Sequence, residues 1–141
     1  MAVSTRTAVA IHALTYLAHW SSEGWQSSTR IAASLDSNPV FVRRILTLLQ
    51  AKGLVTAAEG SGGGWQLVKP ADEITLADAY RATEGDAPVL PTHAHPPNQH
   101  CVIGRHMQGL LEHEFAAAQR ALEDQLSGTS IGDLLRQVHP A

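Results

Sequence analysis

The chain has 141 residues, 44% of them hydrophobic, which suits one domain with its own core and room for a small addition. A single cysteine excludes an intramolecular disulfide and suits a reducing compartment. No basic start precedes a long apolar run, as in a signal peptide, and no stretch approaches the ~20 apolar residues of a membrane span, so a cytoplasmic protein without membrane contact is expected. The net charge of −3 hides an asymmetry: residues 28–52 hold Arg30, Arg43, Arg44 and Lys52 against Asp36 alone, a local +3, while the rest of the chain holds six basic and twelve acidic side chains, a local −6. A basic element inside an acidic protein favours one oriented approach to a polyanion over loose binding.

Ser4–Trp20 predicts a first helix, with Ala10, Ile11, Leu14, Leu17 and Ala18 at helical spacing and His12 and His19 as ordinary surface or core histidines. Ser21–Gly24 is a loop, and Trp25 and Gln26 form a short extended run suited to pairing with a later strand. Ser27 or Ser28 can cap a second helix, whose apolar stripe is Ile31, Ala32 and Leu35. Asp36-Ser37-Asn38 breaks it. Pro39 restarts a helix where a missing N–H does no harm, and that helix ends at Gly53. Two helices joined by three residues form a helix-turn-helix. On the second of them, Val42, Ile45, Leu46 and Leu49 fall on one side and Val40, Arg43, Arg44 and Thr47 on the other. An arginine can donate two bonds to guanine O6 and N7 in a DNA major groove, and a methyl group can touch the thymine methyl.

Two β-like runs follow, Leu54–Ala58 and Trp65–Val68, joined by Gly60-Ser61-Gly62-Gly63-Gly64. No helix follows these glycines, so they are a tight turn needing positive φ and not a phosphate cradle. A helix-turn-helix and a glycine-tipped hairpin together make a winged helix. Thr75 caps a helix over Leu76–Glu84 that Gly85 stops. The next segment carries Pro88, Pro91, Pro96 and Pro97 and no period, hence an irregular loop. A long helix runs from near Gly104 to about Leu126, with Met107, Leu111, Phe115, Ala118, Leu122 and Leu126 along one face; a last short helix covers Ser130–Val138. The long helix exceeds what a domain of this size needs to cover itself, so its apolar stripe calls for a partner.

The runs NPVFVRRILTLLQAKGLV, GSGGGWQL, ITLADAYRATEGD and CVIGRHMQGLLEHEF, in this order, resemble the Rrf2 family of bacterial transcription regulators over nearly the whole chain. The likeness is greatest to the branch lacking iron–sulfur cysteines. The resemblance implies a homodimer of winged helices joined by crossed long helices on a partly palindromic double-stranded DNA operator. By position it implies DNA contacts from Ser28 and Thr29, from Asn38, Pro39, Val40, Arg43 and Arg44, and from Ser61, Gly62 and Gly63 in the wing. Glu59 stands where cluster-binding relatives often place an arginine before the wing glycines.

Cluster-binding relatives carry three cysteines spaced six apart in the loop before the long helix, and the same spacing here gives His95, Cys101 and Met107. One thiol cannot hold an iron–sulfur cluster. Imidazole and thiolate donors among His93, His95, His100, Cys101 and His106 suit Zn or Cu, while the plainer reading makes them solvated loop residues. No metal or cofactor is therefore expected, and Cys101 beside His100 is the best candidate for a sensing side chain.

The sequence thus predicts a mainly α protein with a small β-wing. A winged helix-turn-helix DNA-binding domain spans residues 1–86, a His/Pro-rich loop 87–103, and a dimerisation helix with a short C-terminal helix 104–141. The dimer contacts are placed at Leu111, Phe115, Ala118 and Leu122. The function expected is sequence-specific transcription regulation, with repression as the mode, and not enzymatic catalysis, since no nucleophile with its base and no acid–base pair stands out. The alternatives are a metal-binding or thiol-sensing protein built on the loop around Cys101, and a winged helix used only for protein contacts.

Overall fold

The computed structural model describes residues 4–139; the outermost residues of the expected partition, 1–3 and 140–141, lie outside them. Six helices and one two-stranded antiparallel sheet follow in the order α1 (Arg6–His19), α2 (Ser28–Leu35), α3 (Pro39–Ala51), β1 (Val55–Ala58), β2 (Gly64–Leu67), α4 (Leu76–Glu84), α5 (Val102–Ser127) and α6 (Ile131–Val138).

The α2–α3 junction follows from its sequence. Ser27 is the N-cap of α2, its side chain accepting from Arg30 N–H at 3.2 Å. Asp36 ends the helix in the left-handed region at φ 50°, a conformation that Asp tolerates better than most side chains. Asn38 then caps α3, accepting from Val40 N–H at 2.7 Å, with Pro39 just inside the helix. The chain turns sharply here with one first-turn N–H of each helix satisfied by a side chain.

The hairpin register pairs Val55 with Leu67 and Ala58 with Gly64. Gly64 therefore begins β2 and is not part of the turn, which shortens the glycine loop read from the sequence. It does so because its backbone, at φ 151°, lies so close to Gln26 that a Cβ would collide with the Gln26 carbonyl. Gln26 in turn forms a short third rung. Its N–H donates to Trp65 O at 3.1 Å and its carbonyl accepts from Trp65 N–H at 2.8 Å, the pairing expected for Trp25-Gln26.

The core gathers Ala10, Ala13, Leu14 and Leu17 of α1, Ile31 and Ala32 of α2, the inner face of α3, and Ala79 and Ala82 of α4. It also contains Ile131, which is fully buried. The C-terminal segment returns after α5. Ile131 N–H donates to Ile74 O at 2.8 Å and Leu76 N–H to Thr129 O at 3.0 Å, while Thr75–Asp78 and Ser130–Asp133 form matching capping boxes at the starts of α4 and α6. α6 thus packs with the first domain, although the sequence partition groups it with the long helix.

α5 also starts earlier than its glycine suggested. Asn98 Oδ1 accepts from His100 N–H at 2.9 Å and Asn98 O accepts from Cys101 N–H at 3.2 Å, so the chain has already turned at Cys101. Gly104 is the point where the first turn of the helix crosses Asn98 so closely that a Cβ would collide with its carbonyl. No described residue of α5 is buried. Its second half is tied to α4: Arg81 Nε pairs with Glu123 Oε1 at 2.9 Å, and Gln119 Nε2 donates to Tyr80 OH at 2.8 Å. Its first half exposes Ile103 at 63% and Leu110 at 60%.

Because Ile131 sits wholly in the core, Ile131→Ala is expected to lower stability by about 2–5 kcal/mol in urea unfolding. A loss under about 1 kcal/mol, the level of a surface substitution, would place α6 outside the cooperative unit.

Candidate nucleic-acid interface

The outer face of α3 is fixed by what its inner face does. Val42, Ile45, Leu46 and Leu49 are each at most 1% exposed. A helix that buries this stripe must present Val40, Arg43, Arg44 and Thr47 to solvent, and all four are exposed, Val40 at 48%. Thr47 donates its hydroxyl to Arg43 O at 2.8 Å, which fixes its rotamer.

The expected contact residues fall on three segments. Thr29 is exposed at the start of α2, and Ser28, one residue earlier, is buried. Its hydroxyl accepts from Arg43 Nη1 at 3.3 Å, bringing the start of α2 and the outer face of α3 together. Asn38 and Val40 are exposed and Pro39 half-buried at the N-terminus of α3. Ser61 and Gly62 are exposed at the wing tip and Gly63 is half-buried, with its N–H donating to Gly60 O at 3.1 Å. Gly60 and Gly62 take positive φ and Gly63 does not. Arg30 was not singled out from the sequence as a contact. It is exposed one residue after Thr29, and its place in the first turn of α2 was the available signal.

Among the described residues, none of the basic side chains of the helix-turn-helix is in an ion pair, and three of the six outside it are. Among the described residues Arg6, Arg81 and Arg136 lie in ion pairs with Glu84, Glu123, and Asp72 and Asp133, whereas Arg30, Arg43, Arg44 and Lys52 lie in none. The asymmetry of sequence charge is therefore kept in the fold. Carboxylates pair with Arg6, Arg81 and Arg136, and the positive charge of the helix-turn-helix stays unpaired.

The loop before α5 has different chemistry. Cys101 is exposed and immediately precedes α5. It closes no capping hydrogen bond, but the free N–H groups of Gly104, and after it Ile103, favour the thiolate and hold its pKa below the ordinary thiol value. His93, His95, His100 and His106 are all exposed. Among the described residues no three His, Cys, Asp or Glu side chains come together to hold a metal ion. A cavity of about 840 Å³ is lined by residues of α1 and α6 with Trp20, Ser34, Leu76 and His139, and by nothing from α3 or the wing. It lies apart from the basic face.

A helix-turn-helix with a paired wing, a basic outer face on its second helix and a long trailing helix defines a winged-helix protein of the DNA-binding type. The chain belongs to the Rrf2 family of transcriptional regulators. That family, described as iron-dependent transcriptional regulators, matches residues 3–137. YwnA of Bacillus subtilis strain 168, named as an HTH-type transcriptional regulator, is 35% identical over 136 residues, covering 96% of this chain and 98% of its own. A solved structure titled as a DNA-binding protein is 33% identical, with a TM-score of 0.73, covering 92% of this chain and 98% of its own. CymR of B. subtilis, titled as the global cysteine regulator, shares the fold at a TM-score of 0.71 and 21% identity, over 97% of this chain and 98% of its own.

The iron in the family's description does not fit the residues of this chain. Iron–sulfur clusters are held by several thiolates with occasional imidazoles, and this chain has one thiol in an exposed loop, with no three ligand groups converging on it among the described residues.

The position of Cys101 at the head of α5 sets a pH dependence. A lowered pKa keeps the thiolate present to lower pH than in an ordinary cysteine. The rate of Cys101 alkylation by iodoacetamide should therefore reach half its maximum below the ~8.5 of a free cysteine. A midpoint at or above that value would contradict the role of the helix N–H groups.

Proposed function

We propose that this regulator acts as a homodimer that represses transcription by laying its two α3 helices in successive major grooves of a partly palindromic operator. The observation that carries the reading is the acid-free basic face of α3, where Arg43 and Arg44 stand exposed beside Val40 and Thr47 over a fully buried inner stripe. Thr29 at the head of α2, Asn38 and Pro39 at the head of α3, and Ser61, Gly62 and Gly63 at the wing tip flank that face as backbone-positioning contacts.

The dimer is supported by α5. At 26 residues it extends ~39 Å, has no fully buried residue and is tied to α4 through Gln119 and Glu123 in its second half. Leu111, Phe115 and Leu122 are half-buried along it and Ala118 is exposed, a stripe suited to the same stripe of a second copy. Pairing through α5 sets the two recognition helices a fixed distance apart, which DNA reads as half-site spacing of ~34 Å.

Two experiments test this. Light scattering at micromolar concentration should give twice the mass of the chain, and Phe115→Glu should give a monomer that no longer binds the operator; a monomeric wild type would overturn the dimer. Replacing Arg44 by Ala should cost ~1–3 kcal/mol of operator binding, and the Arg43→Ala, Arg44→Ala double variant should lose discrimination between the operator and a scrambled duplex. Unchanged operator affinity in the double variant would overturn the docking of α3.

One observation favours a second role for the same protein, in which Cys101 senses oxidants or electrophiles. The thiol is exposed, biased toward the thiolate, and joins the loop to the helix that sets the spacing of the recognition helices, with His100 beside it. Peroxide should weaken operator binding by wild type and leave Cys101→Ser unaffected; equal binding in all four conditions would remove Cys101 as a sensor.

A further inference from the structure

The two arginines of α3 are not equivalent. Arg43 donates from Nη1 to the Ser28 hydroxyl, whereas Arg44 has no recorded side-chain partner among the described residues. Ser28 is only 9% exposed. Its hydroxyl has no capping duty, because the preceding Ser27 takes the N–H of Arg30. The single recorded side-chain bond of Ser28 is the one from Arg43. A buried hydroxyl is thus aimed at an exposed guanidinium from a helix other than its own.

We infer that Ser28 is a positioning residue that sets the plane of the Arg43 guanidinium and makes Arg43 the sequence-discriminating arginine, with Arg44 supplying affinity. This rests on the reading of α3 as the DNA-reading helix. Guanidinium carries five N–H donors in one plane. Fixing one at Nη1 leaves the Nε and Nη2 hydrogens side by side on another edge, a pair matched to guanine O6 and N7. The bond also removes rotamer freedom from Arg43 before DNA arrives, so less is lost when the guanidinium docks. An arginine without such an anchor can follow a phosphate as readily as a base edge, which gives affinity without sequence preference. The arrangement divides labour between neighbours of equal charge, and Ser28 reaches DNA through Arg43 without touching it.

The test uses the full-length protein and a duplex enriched by it from a random-sequence pool, compared with a scrambled duplex of the same composition. Ser28→Ala should lower the ratio of the two affinities about tenfold, the size of a weakened bidentate contact, while the slope of log affinity against log salt stays unchanged. In an Arg43→Ala background the same substitution should have no further effect on the ratio, since the group it positions is gone. Ser28→Thr and Ser28→Val have the same shape and differ in the hydroxyl; the Thr variant should discriminate and the Val variant should not. An unchanged ratio in Ser28→Ala, an equal loss with and without Arg43, or equal behaviour of the Thr and Val variants would each overturn the positioning role. Failure of the wild type to enrich any sequence would instead overturn the DNA-reading assignment itself, and this proposal with it.

Discussion

Burial of Val42, Ile45, Leu46 and Leu49 against α1, α2 and α4 is the constraint on which the rest depends. Each of these side chains contributes about 1.5–3 kcal/mol by leaving water, far more than any exposed contact on the opposite face. The helix cannot rotate about its axis without giving that up. The outward direction of Val40, Arg43, Arg44 and Thr47 is therefore a consequence of core packing and needs no stabilisation of its own. The turn at Asp36 and the Asn38 cap then fix where α3 begins relative to α2, so that Ser28 and Arg43 meet.

Electrostatics builds on that frame. Exposed ion pairs add little stability, so the pairing of Arg6, Arg81 and Arg136 with carboxylates matters more for the field of the molecule than for its fold. An acidic protein whose helix-turn-helix retains its positive charge approaches a polyanion by one face. With few cations available, the non-specific affinity this gives is modest, and discrimination must come from oriented contacts.

Much of this was legible in the sequence because the signals were local. Caps at Ser27 and Thr75, stops at Gly53 and Gly85, and the period of α3 each depend on neighbours a few residues away, and the elements lie within a few residues of where those signals put them. The pairing of Gln26 with the wing was legible from extended character alone. Three features were not, because each depends on contacts distant in sequence. The return of Ile131 to the core needs a route that periodicity does not specify. Gly104 read as a helix start, yet its role is close packing on Asn98, an environment only the fold creates. Ser28 read as a possible N-cap and as a DNA contact, and its burial beneath Arg43 depends on the angle between two helices. The seam residues of α5 show the converse limit. Their stripe is plain in both sequence and structure, and the second copy proposed to cover it lies in neither.

In the proposed complex α3 enters the major groove. Dimethyl sulfate reporting on guanine N7, which faces that groove, tests it most directly on operator DNA. Guanines in two patches whose centres lie about one helical turn apart should be protected, with protection lost when Arg43 and Arg44 are replaced by Ala. Binding of the operator with every guanine N7 still reactive would contradict it.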